Sequence, residues 1–203
     1  MYGLLSSPVI YDFCQAVVRS KASRSRFFEE HVRPWRGARV LDVGCGTGDA
    51  LCHLRTTDYV GVDLNPEYLR VARCRYPNRG RFVTGDVLHL EEHVGNGFDI
   101  ALAMGVLHHL SDEVADAALG QAARVISSTG RLVTHDPVLT DSQSRAARWF
   151  VTRDRGPHVR REAELAGLAH RHFEVVRTTI VERPLRIPYT EIIMECERPV
   201  GRR

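Results

Sequence analysis

The run Val40-Leu41-Asp42-Val43 leads directly into Gly44-Cys45-Gly46-Thr47-Gly48-Asp49, and this junction constrains the fold more than any other part of the chain. Val40, Leu41 and Val43 read as a strand covered on both faces, as in a parallel sheet. Glycine at every second position then lets the backbone take positive φ and approach a ligand with no Cβ in the way. Asp49 to Leu54 has helical spacing. The loop is therefore expected to hand a ligand to a helix N-terminus, whose free N–H groups favour negative charge.

The spacing is G-x-G-x-G. In the G-x-G-x-x-G loop of dinucleotide enzymes the third glycine would fall at Asp49. Carboxylates at Asp42 and Asp49 flank the loop, an arrangement that repels a pyrophosphate and suits a ligand with a cationic amino acid moiety. The loop points away from NAD and towards S-adenosylmethionine.

Strand-like and helix-like segments alternate along the rest of the chain, which predicts an α/β sheet with helices on both faces. Strands are expected at 39–43, 59–63, 81–84, 98–103, 131–135, 173–181 and 189–197, with Gly130 opening the fifth. Residues 2–32 read as two helical stretches broken near Ser20 to Ser25. Asn65-Pro66 is an N-cap followed by proline at the first helical position, and that helix ends near Tyr76. Ser111 caps a long helix to about Ile126, and another runs from Arg161 to His172. At 203 residues and 43% hydrophobic, the chain fits one domain, with 1–35 as an N-terminal helical lid and 36–203 as the core.

No apolar run approaches the roughly 20 residues of a membrane span, and no signal peptide is visible at Met1. Five cysteines without paired spacing read as free thiols of a cytoplasmic protein. Cys45, Cys52 and His53 do not form a zinc spacing, so no metal is expected. A net charge of +3, with Lys21 the one lysine among the basic residues, reads as genome composition and gives no sign of a nucleic-acid or membrane partner.

In an open α/β sheet ligands bind at the carboxyl ends of the strands. Strand two ends in Asp63, 19 positions after Gly44, where a carboxylate can accept from both ribose hydroxyls. Strand three ends in Asp86, placed to accept from an adenine amino group while the Val87 N–H donates to a ring nitrogen. Strand four ends in Met104-Gly105 and continues through Val106-Leu107-His108-His109.

Together, Val40 to Asp49, Gly61 to Pro66, Gly85 to Val87 and Phe98 to Leu110 resemble a class I S-adenosylmethionine-dependent methyltransferase over roughly Arg39 to Pro137. The Gly-Val-Leu-His-His-Leu run resembles the small-molecule branch. The segments Asp154-Arg155-Gly156 and Leu185 to Thr190 are similar to bacterial members. The resemblance implies a Rossmann-like seven-stranded sheet in the order 3-2-1-4-5-7-6 with strand seven antiparallel. It also implies that Gly44, Gly46 and the backbone at Gly105 hold the methionine portion, Asp63 the ribose, and Asp86 with Val87 the adenine. Asp42 would organise the loop, and Cys45, Gly48, Leu64 and Met104 complete the cofactor contacts.

A methyl group on a sulfonium is already activated, so the protein must align the acceptor and remove a proton where the acceptor is a hydroxyl. His109 is the first candidate base, followed by His108 and His135. Tyr11, Arg153 and Arg155 are candidate acceptor contacts, and Tyr2, Tyr11 and Phe13 are candidate lid residues. A single arginine in the stretch Arg145 to Arg161 reads more readily as part of a solvated helix face. The expected activity is O-methylation of a small molecule. The alternatives are a non-methylating member of the fold (a cyclase or a binding protein), an RNA or protein methyltransferase, and, remotely, a dinucleotide oxidoreductase.

Overall fold

The computed structural model describes residues 21–55, 57–153, 156–183 and 188–201. Its framework is a sheet built from β1 (Arg39–Val43), β2 (Asp58–Asp63), β3 (Arg81–Thr84), β4 (Phe98–Met104), β5 (Ile126–Leu139), β7 (Phe173–Arg183) and β8 (Tyr189–Pro199). The spatial order is β3-β2-β1-β4-β5-β8-β7, and the two-residue strand β6 (Arg160–Arg161) pairs with the end of β5 off that path. The first five strands pair in parallel, while β8 runs antiparallel to both β5 and β7. This is the expected order, with β6 as a small addition that alternation of apolar residues could not reveal in two positions.

The sheet has an apolar layer on each face because its central strands are buried on both sides. Leu41 and Val43 join Val62, Ala101, Ala103, Leu119 and Met194 in one cluster. Val40 faces the other way, with Phe27, Phe28, Leu51, Tyr59, Leu102 and Ile193. Asp42 lies on this second face, since side chains alternate along a strand.

The helices are α1 (Lys21–Phe27), α2 (Pro66–Arg75), α3 (Leu90–Val94), α4 (Asp112–Val125), α5 (Arg145–Val151) and α6 (Glu162–Ala169). Asn65 caps α2 by accepting from the Glu67 N–H at 3.0 Å. Ser111 caps α4 through the Val114 N–H, with Asp112 and Glu113 in the first turn complementing the dipole. None of the helices among the described residues is long and apolar enough to cross a membrane.

Three local expectations are corrected. Helix α1 runs through Ser23 and Ser25 without a break and tightens into a π-helical turn, Phe28–Val32. Strand β5 begins at Ile126 instead of after Gly130, because a register shift against β4 absorbs the extra residues. The glycine loop opens into a single 3-10 turn, Asp49–Cys52, where a helix was expected. Its bonds run from each N–H to the carbonyl three residues back, as from His53 to Ala50 at 2.9 Å. Arg79 takes the Leu51 and Leu54 carbonyls, at 3.0 and 2.9 Å, that a longer helix would have used.

The described part of the N-terminal segment is firmly seated. Arg131 donates to the carbonyls of Val32 and Arg33, satisfying the end of the π-helical turn. Glu195 on β8 accepts from His31 at 2.9 Å and also pairs with Arg33. Residues 1–20, including Tyr2, Tyr11 and Phe13, lie outside the described residues.

Candidate cofactor and acceptor site

The carboxyl ends of β1, β2, β3, β4 and β5 meet at one edge of the sheet. Gly44, Gly46 and Gly48 all take positive φ (67, 54 and 80°), as the spacing predicts. At Gly44 the need is also steric, since a Cβ would lie 2.6 Å from the Val106 Cγ2. The loop is tied down by its own backbone: the Cys45 N–H donates to the Val62 carbonyl at 3.0 Å, and the Gly48 N–H to the Cys45 carbonyl at 2.9 Å. The Cys45 side chain is buried, and desolvation beside Asp42 and Asp63 pushes its thiol far above the ordinary value. It fills space under the loop and is no nucleophile.

Asp42 is 2% exposed and accepts a hydrogen bond from the Tyr59 hydroxyl at 2.7 Å. Burial raises its carboxyl to about 7, with the Tyr59 bond acting in the opposite direction. Room for the Tyr59 ring depends on two bare positions. A Cβ at Gly80 would stand 2.6 Å from its Cδ1, and one at Gly61 would stand 3.0 Å from its hydroxyl and 2.7 Å from the Cys45 Sγ.

Asp63 accepts from the Gly46 N–H and the Asn65 N–H, each at 2.8 Å, so it joins the glycine loop to the start of α2. Burial raises its carboxyl above the ordinary value, and the two backbone bonds oppose that rise. Beside it Leu64 presents an apolar side chain that is 66% exposed. Asp86 accepts from the Leu88 N–H at 3.0 Å and so caps the turn Val87–His89. Its own N–H donates to the His93 Nε2 at 3.3 Å. Sequence reasoning missed His93, which sits seven positions away on the unforeseen helix α3.

The argument from loop charge needs correction at Asp49. Its carboxylate accepts from Arg75 at 2.7 Å and from Arg24 at 3.3 Å, so the charge invoked against a pyrophosphate is largely offset. The loop spacing still separates it from a dinucleotide fingerprint, and the nearby ionic groups now have both signs.

At the end of β4, Gly105 takes φ 73° and donates its N–H to the His135 carbonyl at 2.8 Å. Met104 pairs in register with His135. The three candidate histidines have different surroundings. His108 is 7% exposed, and its Nδ1 lies 2.8 Å from Asp136 Oδ1, which also accepts its backbone N–H. Gly156 lies against it so closely that a Cβ there would be 2.0 Å from its Cδ2. His109 is exposed, with its ring 4.0 Å from that of His108. His135 points to the opposite face, stacked on Phe27 at 4.8 Å, with its Nε2 3.3 Å from Glu191 Oε2. Asp136, His135 and Glu191 are almost wholly buried.

Arg160, the one buried arginine among the described residues of the stretch from Arg145, has a structural assignment. Its guanidinium donates to the carbonyls of Leu107, Leu110 and His158 and to Asp112, which fixes the turn bearing His108 and His109. Arg153 is exposed and lies over Trp149 at 4.4 Å. Asp154 and Arg155 lie outside the described residues. No group of three or more possible metal ligands occurs among the described residues.

Residues 40–130 match the family described as methyltransferase domain. An O-methyltransferase from Pyrenophora dematioidea is 34% identical over 118 residues, which are 54% of this chain and 43% of the relative. The chain spans about half the length of the curated relatives it matches. Among solved structures, the [4+2]-cyclase SpnF aligns with TM-score 0.68 at 18% identity, covering 89% of this chain and 84% of that one. A Haemonchus contortus phosphoethanolamine N-methyltransferase 2, solved with phosphomonomethylethanolamine and S-adenosylhomocysteine, aligns with TM-score 0.73 at 12% identity. That alignment covers 97% of this chain and 58% of the enzyme. The sheet order and the glycine-loop junction after β1 agree with the matched domain: residues 40–130 are similar to the methyltransferase domain family, on a fold that the solved methyltransferase structures share.

Proposed function

We propose that this protein transfers the methyl group of S-adenosylmethionine to a small-molecule acceptor, at oxygen, with His109 taking the proton. The observation that carries the reading is the continuous lining of one sheet edge. The positive-φ loop 44–48, the Asp63 carboxylate, the exposed Leu64, the Asp86 turn and Gly105 follow one another there, beside the histidines at the ends of β4 and β5.

These residues fit the cofactor on chemical grounds. Glycine backbone offers N–H groups without side-chain obstruction, Asp63 offers a hydroxyl acceptor, and Leu64 offers an apolar face for a base. When bound, the cofactor supplies an electrophilic methyl on a sulfonium. Asp42, Gly44, Cys45, Gly46, Gly48, Met104 and Gly105 would hold its methionine part, Asp63 its ribose, and Leu64, Asp86 and Val87 its adenine.

The acceptor side rests on the histidines. His109 is the exposed member of the three, so it can meet a substrate hydroxyl, and the His108–Asp136 pair beneath it fixes its position. His108 and His135 remain the alternative bases. We assign residues 1–35 to an N-terminal lid, and the seating of the described part, 21–35, on β5 and β8 supports it. Arg153, Tyr11 and Arg155 are the candidate acceptor contacts.

Incubation with S-adenosylmethionine and the small-molecule fraction of a cell extract tests this reading. The expected result is S-adenosylhomocysteine together with a metabolite heavier by one CH2. Cofactor binding without S-adenosylhomocysteine would sink it in favour of a non-methylating role such as that of the [4+2]-cyclase neighbour.

A further inference from the structure

Arg24 is the cation that the glycine loop has not used up. It reaches the loop from α1, and its side chain is 21% exposed. Among the described residues its guanidinium makes one contact, to Asp49 at 3.3 Å, although it carries five N–H donors. Through Asp49 it sits at the end of the glycine loop, near enough for its charge to act on the buried Asp42. Asp49 itself does not need Arg24, because Arg75 already donates to it at 2.7 Å and to the Thr47 hydroxyl at 3.3 Å.

We propose that Arg24 binds the α-carboxylate of the cofactor's methionine moiety, making α1 part of the cofactor site and selecting ligands that carry that carboxylate. This rests on the S-adenosylmethionine reading given above. The amino acid end of such a ligand is a zwitterion and needs one partner of each sign. The loop has the Asp42 carboxyl for the ammonium end, Asp63 being assigned to the ribose. Arg75 is committed to Asp49 and Thr47, leaving Arg24 with a planar fork of donors that matches a carboxylate. Its single long bond to Asp49 is weak enough to be given up or shared when a second carboxylate arrives.

The test is calorimetric binding to the full chain of two probes that differ only at the amino acid end. S-adenosylhomocysteine carries the carboxylate, and 5′-methylthioadenosine lacks the whole amino acid. For Arg24→Met, S-adenosylhomocysteine should bind about tenfold or more weakly than to the wild type, while 5′-methylthioadenosine should bind within about twofold of the wild type. Arg24→Lys should recover part of the loss, because it restores the charge without the fork. Retained 5′-methylthioadenosine binding also reports that the variant is folded. Equal losses for both probes would assign Arg24 to packing of α1 and overturn the proposal, as would unchanged S-adenosylhomocysteine affinity. If the wild type bound neither probe, the methyltransferase reading itself would fall, and this inference with it.

Discussion

The Tyr59 hydroxyl donates to the Asp42 carboxyl at 2.7 Å, inside the sheet and directly below the glycine loop. Because burial holds the Asp42 carboxyl at about 7 in the folded protein, against an ordinary value of 3.8, the folded state prefers its protonated form. Its contribution to stability is complete below pH 4 and is lost as the pH rises towards 7. Asp42→Asn keeps an acceptor for Tyr59 and removes the titration. Urea denaturation from pH 5 to 7 should then show a stability slope shallower than wild type by up to about 1.4 kcal/mol per pH unit. Parallel slopes for the two proteins would contradict the assignment.

Gly156 is bare because His108 occupies the place of its side chain, with the His108 carbonyl oxygen 2.4 Å from a Cβ built there. Backbone cannot rotate aside as a flexible side chain does. Gly156→Ala is expected to cost about 2 kcal/mol in denaturant melts. It should also disturb the His108–Asp136 pair, visible as a shifted His108 imidazole resonance. An unperturbed resonance would contradict this steric assignment.

His109→Ala should lower turnover by about a hundredfold while S-adenosylhomocysteine affinity stays within about twofold. The same substitution at His108 should also destabilise the fold, since it leaves the Asp136 carboxylate buried without its imidazole. Steady-state kinetics combined with calorimetry separate the two effects. Full activity in the His109 variant would remove it as the base.

Leu64 has few protein contacts to lose, so Leu64→Ala should leave stability within about 0.5 kcal/mol. S-adenosylhomocysteine affinity should nevertheless fall about fivefold if the side chain is a platform for the adenine. A change in melting without a change in affinity would assign Leu64 to folding alone.

The His135–Glu191 pair is ionisable chemistry in an apolar layer, covered by Phe27. Glu191→Leu alone should cost about 3 kcal/mol, whereas the double variant His135→Phe with Glu191→Leu should return to within about 1 kcal/mol of wild type. A folded but inactive double variant would identify the pair as functional. Full activity would show that it only fills space.

The strands were legible because each depends on a short local pattern. Residues 39–43 and 81–84 were read with the bounds that the structure has. Asp63 and Asp86 were legible because strand ends in a parallel sheet converge on one edge, whatever lies between them. The helix expected after Gly48 was misread because spacing alone does not show that Arg79, 25 positions beyond Leu54, takes the carbonyls that would have continued it. The contacts that shape the site were invisible for a related reason. Arg24 meets Asp49 across 25 positions, and Arg160 reaches the Leu107 carbonyl across 53. Local composition does not mark either arginine apart from its exposed neighbours.

The fit of Tyr59 beside Gly61 and Gly80 also ties the carboxyl beneath the glycine loop to a turn two strands away. Gly80 takes φ 86° in the turn before β3, so a side chain there would meet both the Tyr59 ring and a strained backbone. A single change in that turn therefore reaches Asp42 through the ring whose hydroxyl it holds.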